Sequence, residues 1–139
     1  MSLVRNAILA ALQADTGAGG VAALATGGIF PDVAPEGSSY PFVVVSVRSG
    51  ETPSRVYQGI AYEECRILVR ATVKSLSPKR AAAINRRVRT VLENANLNVS
   101  GYSTLNCEWA GNIPGYPEPV DDQTYRHEGC EFIVWISAN

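Results

Sequence analysis

The densest positive charge in the sequence lies on one short stretch, where Lys79, Arg80, Arg86, Arg87 and Arg89 stand within about four helical turns against a single acid, Glu93. Guanidinium groups so crowded can pair with the carboxylates of a neighbouring protein or with phosphates, and on a helix they can equally stand as a solvated face. The solvated face is the plain reading. Contact with an acidic face of a neighbouring subunit comes next, and contact with passing DNA third. His127, the single histidine, sits between Arg126 and Glu128 without the recognisably spaced partners that a zinc site or a general base needs. Glu63-Glu64 and Asp121-Asp122 are paired carboxylates, but neighbours on a strand point to opposite faces, and the aspartates fall in a turn-rich segment. The glycines at Gly17 to Gly20 and Gly27-Gly28 follow no strand pattern and lack the Gly-Lys-Ser/Thr ending of a phosphate cradle, so they read as turns. CxxC, HExxH and GxSxG are absent. The expectation is a non-enzymatic protein with no catalytic residue, cofactor or metal.

The bulk numbers agree with a binding role of local character. A chain of 139 residues fits one domain, and 46% apolar against 18% charged residues is an ordinary globular balance. Twelve basic and thirteen acidic side chains nearly cancel, so no global field attracts nucleic acid or an anionic membrane. Three widely spaced cysteines, Cys65, Cys107 and Cys130, argue against a disulfide framework and for a reducing compartment, and two of them read as small buried hydrophobes. No apolar run approaches the ~20 residues of a spanning helix, and no secretion signal is expected at Met1 to Asn6.

The elements that must position these residues follow from periodicity. Leu3, Val4, Ala7, Ile8, Ala11 and Leu12 keep a helical rhythm from Ser2 to about Ala14, which the following glycines end. A short helical piece over Val21 to Leu24 and a brief extended piece over Gly27 to Pro35 come next. Pro41 to Arg48 is β-branched enough for a strand buried on both faces or placed centrally in a sheet. Ser49 to Gly59 is polar and turn-rich, and is expected to become ordered only on assembly. Tyr62 to Val73 alternates, with Cys65, Ile67, Val69, Ala71 and Val73 on one phase, and its expected partner is the Phe42 strand. Ser77-Pro78 opens a second long helix running to about Asn94, whose apolar side carries Ala81, Ile84, Val88, Val91, Leu92 and Ala95.

Thr104 to Ala110 reads as a strand with Leu105, Cys107 and Trp109 on its inner phase. Asn112 to Thr124, with its three prolines, Gly115 and Asp121-Asp122, reads as a loop. Tyr125 to Ile136 closes the chain as a strand, with Cys130, Phe132, Val134 and Ile136 in phase. The predicted fold is α+β: one domain over 1–139, a mostly antiparallel sheet of about four to five strands, and two helices packed on one face.

The sequence resembles the small tail-terminator or tail-completion proteins of long-tailed bacteriophages. The matching marks are the opening Met1-Ser2-Leu3-Val4 helix, the phrase Gly28-Ile29-Phe30-Pro31-Asp32-Val33-Ala34-Pro35, and the Tyr40-Pro41-Phe42-Val43-Val44-Val45 strand. They continue in Cys65-Arg66-Ile67-Leu68-Val69, the Ala81 to Leu92 helix and the closing Phe132-Ile133-Val134-Trp135. The resemblance implies a ring, expected to be a hexamer, at the head-proximal end of the tail tube. That ring would end tube polymerisation and dock on the head connector or neck protein. It also implies assembly in the host bacterial cytoplasm, residence in the virion, DNA passing through without specific binding, and no membrane. In such a ring the basic residues Arg86, Arg87 and Arg89 would meet the acidic Glu51, Glu118, Asp121 and Asp122 of the next copy. A neck or head-completion protein and a tail tube subunit are the alternative roles, and an enzyme with a pocket at His127 is the alternative of another kind.

Overall fold

The computed structural model describes residues 2–48, 55–57, 60–75 and 77–139. The elements run α1 (Ser2–Gln13), α2 (Val21–Leu24), β1 (Gly28–Pro31), β2 (Phe42–Val47), β3 (Arg55–Tyr57), β4 (Ile60–Val73), α3 (Lys79–Leu92), β5 (Tyr102–Val120) and β6 (Gln123–Ala138). Five strands form one mixed sheet in the order β1-β2-β4-β6-β5, and β3 folds back on the start of β4. Every pairing is antiparallel except β1 with β2.

One face of the sheet carries the core. Val43 and Val45 of β2, the Cys65-to-Val73 phase of β4 and the Cys130-to-Ile136 phase of β6 are buried together under Val4, Ile8 and Leu12 of α1 and Ala81, Ile84, Val88 and Leu92 of α3. The two long helices touch each other as well as the sheet. Each buries an apolar stripe at the i, i+4 spacing already visible in the sequence. Neither would hold alone, because ordering backbone costs ~1–2 kcal/mol per residue and burial of the stripe is what offsets it. Pro78 stands in the helical region before α3, and the Ser77 hydroxyl accepts the Lys79 N–H at 3.3 Å, the arrangement the Ser-Pro pair predicts.

All three cysteines are free and buried, and burial pushes the Cys107 and Cys130 thiols up to about 12. Gly27 brings two backbones together: its N–H donates to the Pro41 carbonyl at 2.8 Å, and a Cβ there would lie 1.8 Å from the Ser39 carbonyl oxygen. The two glycine clusters are thus turn and packing devices. Among the described residues no helix is long and apolar enough to cross a membrane.

Two expectations need correction. The segment expected to be a loop, Asn112 to Thr124, is strand on both sides of a two-residue turn. β5 continues to Val120, Asp121-Asp122 turn with Asp121 at φ 53°, and β6 begins at Gln123. Prolines are tolerated because β5 is an edge strand, paired only with β6. Pro117 and Pro119, two apart, turn their nitrogens to the same outer edge, where no ladder donor is needed. Second, Leu105 is exposed and does not share the inner phase of Cys107 and Trp109. A register shift between Thr104 and Asn106 leaves Leu105 unpaired, so it and the buried Cys107 no longer share a face. A second shift between Trp109 and Gly111 is served by Gly111 at φ 135°, a conformation closed to most side chains. The connection from Ser49 to Gly59 lies outside the described residues except for β3, which pairs Arg55–Tyr57 with Ile60–Tyr62. Glu51 likewise lies outside them.

Candidate assembly interface

The β5–β6 hairpin outreaches the rest of the sheet. β4 ends at Val73, opposite Arg126, while β5 and β6 remain paired through Glu118↔Tyr125, Pro119↔Thr124 and Val120↔Gln123. Three further pairs at ~3.3 Å per residue carry Asp121 and Asp122 roughly 10 Å beyond the end of β4. Both aspartates are exposed and neither makes an ion pair among the described residues.

The base of this arm is fixed on the sheet face away from the helices. His127 is held at both ring nitrogens, by the Thr72 hydroxyl at 3.0 Å through Nδ1 and by the Glu118 carboxylate at 3.0 Å through Nε2. The Tyr116 ring lies over it at 4.7 Å between centroids. Tyr125 stacks on Tyr40 at 5.0 Å, Tyr40 on Phe42 at 5.2 Å, and Phe42 meets Phe30 at 6.4 Å, an aromatic row from β6 across to β1. His127 therefore acts as a strut, with no ring nitrogen left for a substrate. Neither partner was marked by spacing, since Thr72 is 55 positions away and Glu118 reaches it only because the supposed loop is a strand.

The arginines of α3 are not equivalent. Arg87 turns toward α1, where Nε and one terminal nitrogen donate to the Asp15 carboxylate at 2.8 and 2.9 Å. Asp15 also accepts the Val21 N–H at 2.8 Å, so one carboxylate ties the end of α1, the start of α2 and α3 together. Its pKa falls from 3.8 to about 2, chiefly through the hydrogen bonds from Arg87, with burial opposing and the Val21 N–H adding to the drop. Arg89 donates to Glu93 at 2.8 Å and lies 3.6 Å over the Trp109 ring. Only Arg86 of the three is without an ion pair among the described residues; it lines a shallow cleft with Asn85, Asn112 and Glu128. Among the described residues the structure thus brings none of the expected basic residues onto an expected acidic one within the chain. Arg87 and Arg89 are occupied, while Arg86, Asp121 and Asp122 face outward.

Further along, the helix-free face is half-covered by its own ion pairs. Glu131 accepts from Arg48 at 3.0 Å and from Arg66 at 3.1 Å, and Arg66 also lies 3.3 Å from Glu64. Tyr62 packs on Trp135 at 5.5 Å.

A family model described as Tail completion protein gp17 matches residues 4–128 of the chain. Among solved structures, a chain of the one described as "Virion of native gene transfer agent (GTA) particle" superposes with a TM-score of 0.73 at 16% sequence identity, over 97% of this chain and 95% of that one. At that identity the likeness is one of fold. No curated protein matches the chain.

Proposed function

Because the chain belongs to the tail completion protein gp17 family and is therefore a structural protein of a phage-type tail, we propose that it forms a ring at the head-proximal end of the tail tube. The ring ends tube polymerisation and presents the surface that docks on the head connector. It would contain six copies, assemble in the host bacterial cytoplasm and remain in the neck of the virion. DNA passes through it without specific recognition. The role asks for no catalysis, and the tube protein and the connector are its partners.

The observation that supports a ring is the β5–β6 arm. A hairpin held at its base by the Thr72–His127–Glu118 contacts extends beyond the rest of the sheet and ends in Asp121 and Asp122, which make no ion pair among the described residues. Closed rings are built from head-to-tail contacts between two different patches of the same chain, and an outlying arm supplies one of the two. Arg86, Asp121 and Asp122 remain available to such a contact, while Glu118 is held by His127 and Arg87 and Arg89 serve it indirectly by holding α3 in place.

The test is the position and copy number of the protein in intact particles by cryo-electron microscopy. A single ring between tube and connector is expected. A ring on the capsid side would make it a neck or head-completion protein, and stacked rings along the tail would make it the tube subunit.

A further inference from the structure

Where β4 gives way to α3, three cations gather without partners. Lys74, Lys79 and Arg80 are exposed, and none makes an ion pair among the described residues. They line two adjoining clefts that share Lys74, Ser75 and Arg80. One, of about 350 Å³, is walled by Ser39, Tyr40 and Pro41. The other, of about 620 Å³, is walled by Ser77, Lys79 and Ala83. The Ser75 oxygen accepts the Ser77 N–H at 3.1 Å and the Ser77 oxygen accepts the Lys79 N–H at 3.3 Å, so both hydroxyl protons are left to donate outward. A groove furnished with three cations and two hydroxyl donors suits carboxylates.

The complementary group is on the same chain. The arm's tip carries Asp121 and Asp122, with Glu118 just below them. Tip and cleft lie at the same end of the sheet, since Lys74 follows Val73, the last residue of β4 paired with the arm. Yet they are not paired with each other within the copy. In a ring, every contact joins points at the same height along the symmetry axis, and two patches at one end of the sheet satisfy this when the strands run along that axis.

Resting on the ring reading above, we propose that the acidic tip of one copy, Asp121 and Asp122, seats in the basic cleft formed by Lys74, Lys79 and Arg80 of the next copy. The arm is thereby the register-setting element of the ring, and Arg86, one cation at the edge, is secondary to the cleft.

Charge reversal tests it. Asp121→Lys with Asp122→Lys makes a basic tip, and Lys74→Glu with Arg80→Glu makes an acidic cleft; circular dichroism checks that both fold. Assembly is measured by sedimentation velocity for the protein alone and by co-sedimentation on purified tail tubes. Like charges facing each other across an interface cost enough that each variant alone should need at least about tenfold more protein to assemble. Mixed one to one, the two should recover multimers in which the variants alternate, since every tip then meets a cleft of opposite sign. Assembly of wild type should weaken between 0.15 and 1 M salt, where the screening length falls from about 8 to about 3 Å. Arg86→Glu should have a smaller effect than the cleft pair. If both reversed variants assemble like wild type, or the mixture does no better than either alone, the tip-to-cleft seat is wrong while the ring stands. If wild type forms no multimer alone or on tubes, the ring reading itself fails, and the seat with it.

Discussion

Replacing Asp15 by Asn separates what α3 does for the fold from what it does for assembly. In wild type, Asp15 holds two charge-assisted hydrogen bonds from Arg87 and one from the Val21 backbone. Its carboxyl is lowered from 3.8 to about 2, a difference that at ~1.36 kcal/mol per pK unit corresponds to about 2 kcal/mol. The Arg87 side chain is 40% exposed, so solvent screening brings the worth of the interaction down to about 1 kcal/mol. For a domain of this size that lowers the thermal midpoint by about 3–5 °C.

The pH dependence has a definite sign. A carboxylate whose folded pKa is depressed contributes its full stability above the unfolded value of 3.8 and loses it as pH falls toward about 2. Urea unfolding of wild type and Asp15→Asn from pH 7 downward should therefore show a constant gap above pH 5 that narrows below pH 4. Arg87→Gln should reproduce the gap and leave ring assembly intact. A variant Asp15→Asn as stable as wild type at pH 6, or an Arg87→Gln that keeps its thermal midpoint but cannot assemble, would refute the assignment of Arg87 to the fold.

Phe132→Ala empties the largest fully buried side chain among the described residues and should cost about 3–5 kcal/mol in urea unfolding. Gly27→Ala pushes a Cβ into the Ser39 carbonyl and should cost about 1–3 kcal/mol in the same assay; a neutral result would mean that the Gly27 and Ser39 backbones are not in close contact. Cys107 and Cys130, pushed up to about 12 by burial, should resist iodoacetamide at pH 8 in the folded protein and react once urea unfolds it, as read by mass spectrometry.

Both long helices, β4 and β6 were legible because each buries one face against a single core, and burial on one face writes a period of 3.6 or 2 into the sequence; β2, buried at the consecutive Val43, Val44 and Val45, was legible from its β-branched composition. The arm was not, because its prolines argue against a strand unless the strand is known to be an edge, and edge position is set by which strands pair, not by local composition. The same holds for Leu105, whose bulge breaks the alternation that the neighbouring residues suggest.

For the candidate interface, the sequence determined which side chains carry charge and that α3 has a basic side. It could not say that Arg87 is spent on Asp15, 72 positions away, or that Arg89 lies over Trp109. Nor could it gather Lys74 and Arg80 beside Tyr40 at the foot of the arm. Charge is a property of a residue, whereas a partner is a property of distance. Distances between remote positions are decided only when helices and strands pack into one body.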